Sequence, residues 1–212
     1  MEKKAYHHEN LRQELIDAGV KIVAQEGIRA LSLRRLAAEC NVSHAAPYKH
    51  FKNKDDILAA LTQPVQQLFA QKLLDGLNAL ENSDPQERLV EMGVNYVRFM
   101  VENPEYLKFL FFTGVTGRAE PEQLSPDAAA CGDPLAIFRD TAVTYLQSAG
   151  VDSKHYEYDL IAMWGLVHGL SVMRVNRNWV PAEPYPEAVR TILRDRDVYK
   201  RQQISLAHRH SA

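Results

Sequence analysis

Proline directly after an Asx residue introduces three apolar stretches of this 212-residue chain. The pairs are Asp84-Pro85, Asn103-Pro104 and Asp133-Pro134. An Asp or Asn side chain caps free N–H groups at a helix start, and proline fits the first helical position because its missing N–H needs no partner there. Each pair therefore predicts the start of a helix.

The apolar residues between such marks recur with helical spacing, as in Leu89, Met92, Tyr96, Phe99 and Met100. No stretch of useful length alternates with the period of two that a half-buried strand requires. We therefore predict an all-α fold of about nine helices. Their predicted ranges are 9–26, 33–40, 44–51, 54–82 with a kink at Pro64, 85–102, 104–113, 134–149, 154–179 and 187–206.

Composition places the chain among ordinary globular proteins, with 46% apolar and 25% charged residues. Its most apolar stretch, residues 160–173, is shorter than the ~20 residues that span a bilayer. The amino terminus lacks the apolar core of a secretory signal, and Cys40 and Cys131 do not have zinc-finger spacing. We expect a cytoplasmic protein without membrane association, bound metal or cofactor.

Charge divides the chain into a basic head and an acidic body. Residues 1–54 carry a net charge of +4, and residues 55–212 carry −6. This pattern is typical of a protein that brings only its head to a polyanion. The charge division predicts two domains, a polyanion-binding head over residues 1–54 and a helical body over residues 55–212. Between helices we expect a long loop over residues 113–133, and we assign no function to the basic tail.

Two short helices joined by an abrupt turn are predicted within residues 28–58. Ser32 is expected to cap the first helix, Asn41 to adopt the left-handed conformation at the turn, and Ser43 to cap the second. This pattern is typical of a helix-turn-helix. Because Pro47 has no N–H, we expect the second helix to start later or wind more tightly than usual.

The exposed face of this second helix has side chains suited to DNA. His44, Ala45 and Ala46 are small or flat, which lets a helix enter the major groove. Tyr48 and the residues after it offer donors for phosphate oxygens. The alternative is that the two short helices form an ordinary corner of the core with a solvated basic face. This alternative explains the small residues less well.

The segment from Asn41 to Lys54, Asn-Val-Ser-His-Ala-Ala-Pro-Tyr-Lys-His-Phe-Lys-Asn-Lys, resembles a signature of the TetR family of bacterial transcriptional regulators. That signature reads Gly-Val-Ser-x-x-x-x-Tyr-x-His-Phe-x-x-Lys, and the resemblance covers residues 10–58. This chain departs from it at Asn41, and has Pro47 where the family often has Leu. The resemblance implies phosphate contacts from Ser43, Tyr48, His50 and Lys54, a phosphate or base contact from Arg34, and groove contacts from His44, Ala45, Ala46 and Lys49.

A second resemblance lies in the body, where residues 164–169 are similar to a Trp-x-x-x-His-Gly element of some TetR-family C-terminal domains. The family forms homodimers through its last two helices, which implies the interface candidates Leu166, Leu170, Met173, Val189, Ile192 and Leu193. Candidates for an apolar effector pocket are Tyr96, Phe99, Phe109, Met163, Trp164 and His168, although core packing is the first explanation for such residues.

We therefore expect a homodimeric, sequence-specific regulator, a repressor that a small apolar effector releases from a palindromic operator in double-stranded DNA. The sequence contains no H-E-x-x-H, Walker, G-x-S-x-G or G-x-G-x-x-G motif, so we expect no enzymatic activity and assign no catalytic residue. One alternative is a DNA-binding architectural or activating protein without an effector. Another is a helical small-molecule-binding or enzymatic protein with a vestigial DNA-binding head.

Overall fold

A computed structural model describes residues 10–77, 80, 83–112, 133–181 and 183–195. All regular secondary structure in these ranges is helical, which confirms the predicted fold class. Short 3₁₀ helices occur at Ile28–Ala30, Pro47–Lys49 and Ser153–His155. The eight α-helices of the described residues are α1 (Leu11–Glu26), α2 (Leu33–Glu39), α3 (Lys54–Leu74), α4 (Pro85–Glu102), α5 (Pro104–Phe112), α6 (Pro134–Ser148), α7 (Tyr156–Val175) and α8 (185–195).

The Asx-Pro pairs mark helix starts as predicted, and two of the three Asx side chains act as caps. The Asp84 carboxylate accepts a hydrogen bond from the Gln86 N–H, and Asp133 accepts one from the Leu135 N–H, both at 3.0 Å. Asn103 acts differently. Its side-chain amide donates to the Phe99 carbonyl at 2.9 Å, so it satisfies the end of α4.

Helix ends follow local backbone chemistry. Gly27 closes α1 with φ of +80°, and Gly150 follows α6 with φ of +69°, a region that favours glycine. Helix α3 continues through Pro64 as one helix and ends at Leu74, earlier than the predicted residue 82. The loop predicted over residues 113–133 lies outside the described residues except for its last position, as does the tail after residue 195.

Contacts between residues divide the chain into two compact units. The first takes its described residues from Met1–Val65 and Glu105–Ala119, and the second from Gln66–Pro104 and Glu120–Ala212. Helix α3 contributes residues to both. The domain boundary between residues 54 and 55 stays a prediction.

Each unit has an apolar core of its own. In the first, α1, α2 and the start of α3 bury residues that include Leu15, Leu36, Ala37, Phe51 and Leu61. In the second, α4 packs against α6 and α7. Its centre is aromatic, because the Tyr96 ring meets the rings of Phe69 and Trp164 edge-on, each with a centroid distance of 5.1 Å. Among the described helices, none combines the length and apolar character needed to cross a membrane.

Replacement of Gly27 by alanine is expected to destabilise the protein. With φ of +80° and ψ of 172°, Gly27 occupies a backbone region that is essentially restricted to glycine, and an added Cβ would lie 2.5 Å from the Glu105 Oε2. Gly27→Ala should therefore lower the free energy of unfolding by about 2 to 3 kcal/mol in urea denaturation. Gly150→Ala is the control, because a Cβ there meets no atom within 4 Å, and should cost about 1 kcal/mol. Equal losses would contradict this explanation.

Candidate nucleic-acid interface

The first helix of the predicted helix-turn-helix and its turn form as the sequence predicts. The Ser32 hydroxyl accepts a hydrogen bond from the Arg35 N–H at 3.1 Å and caps α2. Asn41 adopts φ of +53°, and the Val42 N–H donates to the Ala37 carbonyl at 2.9 Å. Left-handed backbone at Asn41 therefore reverses the chain directly after α2.

The second helix differs from the prediction, because residues 44–51 do not form an α-helix. A turn leads into the 3₁₀ helix Pro47–Lys49. Pro47 has no N–H to donate to the Ser43 carbonyl, which accepts instead from the Ala46 N–H at 2.9 Å. The Ser43 side chain makes no cap here, so that prediction was wrong, whereas the expected tighter winding is confirmed.

We call residues 43–50 the recognition segment. It is attached to the core by the buried ring of Pro47 and, directly after it, by Phe51, which is 3% exposed. Most of the remaining side chains face solvent: Tyr48 is 60% exposed, and Ala46 is half-buried. The exposed members are Ser43, His44, Ala45, Tyr48, Lys49 and His50.

Neighbouring arginines on α2 differ in their partners. Arg35 pairs with Glu26 at 2.8 Å and with Glu39 at 3.6 Å. Arg34 is exposed, and no carboxylate of the described chain lies within ion-pair distance of it. A guanidinium without an internal partner is available to an external anion. The role that the resemblance implies for Arg34 stays a prediction and is compatible with this arrangement.

Lys54 has a structural contact that the sequence did not predict. Its ammonium donates to the Ile28 carbonyl at 2.7 Å in a part-buried position. This bond joins the start of α3 to the 3₁₀ helix Ile28–Ala30, which follows α1. Lys54 therefore contributes to the scaffold behind the recognition segment. Its ammonium has three N–H donors, and the proposed contact with DNA depends on those that do not bond to the Ile28 carbonyl.

Arg12 was not singled out from the sequence, because its place in the structure depends on how α1 packs. Its guanidinium carbon lies 5.5 Å from the centroid of the Phe51 ring. Sequence spacing gives no signal of this contact, since 39 positions separate the two residues. The contact brings an exposed cation of α1 to the end of the recognition segment.

The predicted effector residues are divided between the two units. Phe109 is fully buried in the first unit, and the other five belong to the second. There, the Tyr96 hydroxyl and the His168 Nδ1 share a hydrogen bond of 3.0 Å. Burial raises the pKa of Tyr96 and lowers the pKa of His168, so it favours the uncharged form of both side chains. Phe99 stacks on Phe69, and Met163 and Trp164 are half-buried.

A cleft of about 370 Å³ lies between α6 and α7 in the second unit. Trp164 is the one predicted effector residue in its lining, and its ring lies 5.0 Å from that of Phe138. The other lining residues were missed by sequence reasoning, because only the packing of the two helices brings them together. The lining consists of Leu135, Ala136, Phe138, Arg139, Leu160, Ile161, Trp164 and Gly165.

The predicted interface residues differ in their exposure. Leu170 and Val189 are buried within the single chain, so they support neighbouring helices and present little surface to a partner. Met173 is exposed, and Leu166, Ile192 and Leu193 are half-buried. Two exposed apolar residues of α7, Tyr158 and Ile161, were not predicted. Hydrophobicity alone does not show whether an apolar residue of a helix is exposed or buried.

Family models match two parts of the chain. Residues 15–61 match the model of bacterial regulatory proteins of the tetR family, and residues 89–195 match that of the tetracyclin repressor-like C-terminal domain.

Individual relatives match shorter regions. A helix-turn-helix transcriptional regulator of Haemophilus influenzae is 32% identical over 101 residues, or 48% of this chain and 53% of the relative. The nicotine-responsive transcriptional repressor HdnoR of Paenarthrobacter nicotinovorans is 38% identical over 68 residues, or 31% of this chain and 35% of HdnoR. The chain thus spans about half or less of these curated relatives.

A solved structure resembles nearly the full length of the chain. This protein of unknown function from Rhodococcus sp. RHA1 has a TM-score of 0.68 at 22% identity, and the match covers 91% of this chain and 96% of that one. At this identity the likeness shows the fold alone.

Replacement of Lys54 by methionine is expected to reduce stability even without DNA. The substitution keeps an apolar stem but leaves the Ile28 carbonyl with only its 3.3 Å hydrogen bond from the Leu31 N–H, so the loss of the Lys54 bond should cost about 1 kcal/mol in urea denaturation. Lys49→Met is the matched control, because Lys49 is exposed, and should change stability by less than about 0.5 kcal/mol. If both variants unfold at the same urea concentration as the parent, the Lys54 bond contributes nothing to the scaffold.

Proposed function

This chain belongs to the TetR family of bacterial transcriptional regulators, and on that premise we propose that it binds a palindromic DNA operator as a homodimer. We further propose that it is a repressor and that a small apolar effector bound in the second unit releases it from the operator. The observation that carries DNA binding is the recognition segment, which exposes His44, Ala45 and Tyr48 although its anchors are buried.

The roles proposed for individual residues follow from this exposure. Hydroxyl, imidazole and ammonium donors suit phosphate oxygens, whereas small side chains let the backbone approach the base edges. Ser43, Tyr48, His50 and Lys54 are proposed to contact phosphate. Arg34 is proposed to contact phosphate or a base, and His44, Ala45, Ala46 and Lys49 to face the floor of the major groove.

A homodimer is supported by the size of the recognition segment and by the surface of α7. One short segment reads few base pairs, whereas two segments held one DNA turn apart, about 34–36 Å, read both halves of a palindrome. On α7, Tyr158 is 71% exposed and Ile161 is 64% exposed. Gly165 and Gly169 follow them at helical spacing, and a Cβ at either position would meet no atom within 4 Å. We propose that this face of α7, which shares Ile161 and Gly165 with the lining of the cleft, packs against a second copy of the chain.

Effector control is supported by the apolar cleft of the second unit and by the nicotine-responsive activity named for HdnoR. The cleft has a volume within the range of small-molecule sites. A useful switch requires the effector and the operator to favour different conformations, with a coupling free energy of about 1–3 kcal/mol. We propose no catalytic step for this chain, and we place its action in the cytoplasm, where DNA is its partner.

DNA selection tests the binding proposal most simply. The protein should enrich a palindromic sequence from a pool of random duplexes and should bind the region upstream of its own gene. His44→Ala should change the enriched sequence at one position of each half-site, with about tenfold less discrimination there. Tyr48→Phe is the control, and should weaken binding to all sequences alike because a phosphate contact carries no sequence information. An unchanged preference in His44→Ala would remove His44 from base recognition, and no enrichment by the parent would refute the proposal.

A charge placed on α7 is expected to separate the two copies. Ile161→Glu puts a carboxylate on the exposed face of α7, and burying that charge in an interface is costly. Light scattering after gel filtration should give the mass of two 24.1 kDa chains for the parent and of one for the variant. Thr144→Glu, on the exposed surface of α6, should remain dimeric. A dimeric Ile161→Glu would place the interface elsewhere.

A further inference from the structure

We propose that Arg12, which lies outside the helix-turn-helix, binds a DNA phosphate beside the end of the recognition segment. The inference rests on the proposed DNA binding and adds a contact from α1 to it. It assigns to Arg12 a sequence-independent role, because a guanidinium that binds phosphate fixes position on the duplex without reading bases.

The position of Arg12 is set by the Phe51 ring. Phe51 is almost completely buried and follows His50, the last residue of the recognition segment. The Arg12 guanidinium carbon and the His50 ring lie 5.5 Å and 6.5 Å from the centroid of this one ring. The first turn of α1 thus places its cation beside the same ring as a residue proposed to contact phosphate.

Arg12 has no internal anion to neutralise it in the part of the chain that the structure describes. Its guanidinium lies over the face of the Phe51 ring, and the residue is exposed. Arg35 shows the contrasting case, since Glu26 and Glu39 both lie within ion-pair distance of it. A guanidinium over an aromatic ring loses little side-chain freedom when it binds an anion, and its edge keeps N–H donors for two phosphate oxygens.

The remainder of α1 provides a matched control on the opposite face. Lys21 follows Arg12 by nine positions, which is half a turn away around an α-helix. On that face, burial and then the Glu14, Glu39 and Asp17 carboxylates raise the pKa of the Cys40 thiol, and the Lys21 charge lowers it. Lys21 therefore shares its surroundings with these carboxylates, although it carries the same charge on the same helix as Arg12.

The salt dependence of DNA binding tests the proposal. Affinities of the parent, Arg12→Gln, Arg12→Met and Lys21→Gln are measured from 50 to 300 mM salt, on the selected operator and on an unrelated duplex of equal length. The slope of log K against log salt falls by about 0.9 for each phosphate that the protein no longer neutralises, so both Arg12 variants should reduce it by about 2 in a dimer. Their affinity at 0.15 M salt should fall on the order of tenfold for both duplexes. Lys21→Gln should keep the parental slope.

Methionine separates the charge of Arg12 from its packing, because Met keeps an apolar contact with the Phe51 ring. A reduced slope in both Arg12 variants supports a phosphate contact. A parental slope in Arg12→Met, or an equal reduction in Lys21→Gln, overturns the proposal while DNA binding by the parent stands. If the parent binds neither duplex, the proposed function itself fails, and the Arg12 contact fails with it.

Discussion

The recognition segment depends on packing that lies behind it. Eight residues with one 3₁₀ turn have too few hydrogen bonds to hold a single conformation in water. Their geometry comes from the buried Pro47 and Phe51, from the cap that Ser32 places on α2, and from the bond between Lys54 and the Ile28 carbonyl. Because these anchors use the inner side of the segment, the outer side is free to carry polar donors. The polar side chains that are proposed to contact DNA therefore do not have to stabilise the recognition segment.

The second unit combines an apolar core with a buried polar pair. Its aromatic centre includes one polar pair, the Tyr96 hydroxyl with the His168 imidazole, which satisfies two groups that burial would otherwise penalise. Trp164 contacts both the Tyr96 ring of this centre and the Phe138 ring of the cleft. A ligand that displaced Trp164 would therefore also disturb the packing around Tyr96. This gives the proposed effector a physical route from a surface cleft to the core of α4.

Local chemistry explains which predictions succeeded. The caps at Asp84 and Asp133 and the left-handed Asn41 each depend on a few adjacent residues, so the sequence alone is enough. The prediction that Ser43 caps a helix failed because the chain at Pro47 forms a 3₁₀ helix and not an α-helix. The missing N–H of Pro47 had already indicated tighter winding. Asn103 stands between two helices, and a spacing pattern does not reveal that its side-chain amide bonds to the end of α4. Arg12 and the lining of the cleft depend on tertiary packing, which short-range patterns do not contain.

In the proposed complex, two recognition segments contact one face of a DNA duplex. Hydroxyl-radical footprinting of the protein on a selected duplex tests it directly, because protection maps backbone contacts without assuming any residue's role. Two protected patches are expected on one face, with centres about 10–10.5 base pairs apart or a multiple of that spacing. A single patch, patches on opposite faces or no protection would contradict it.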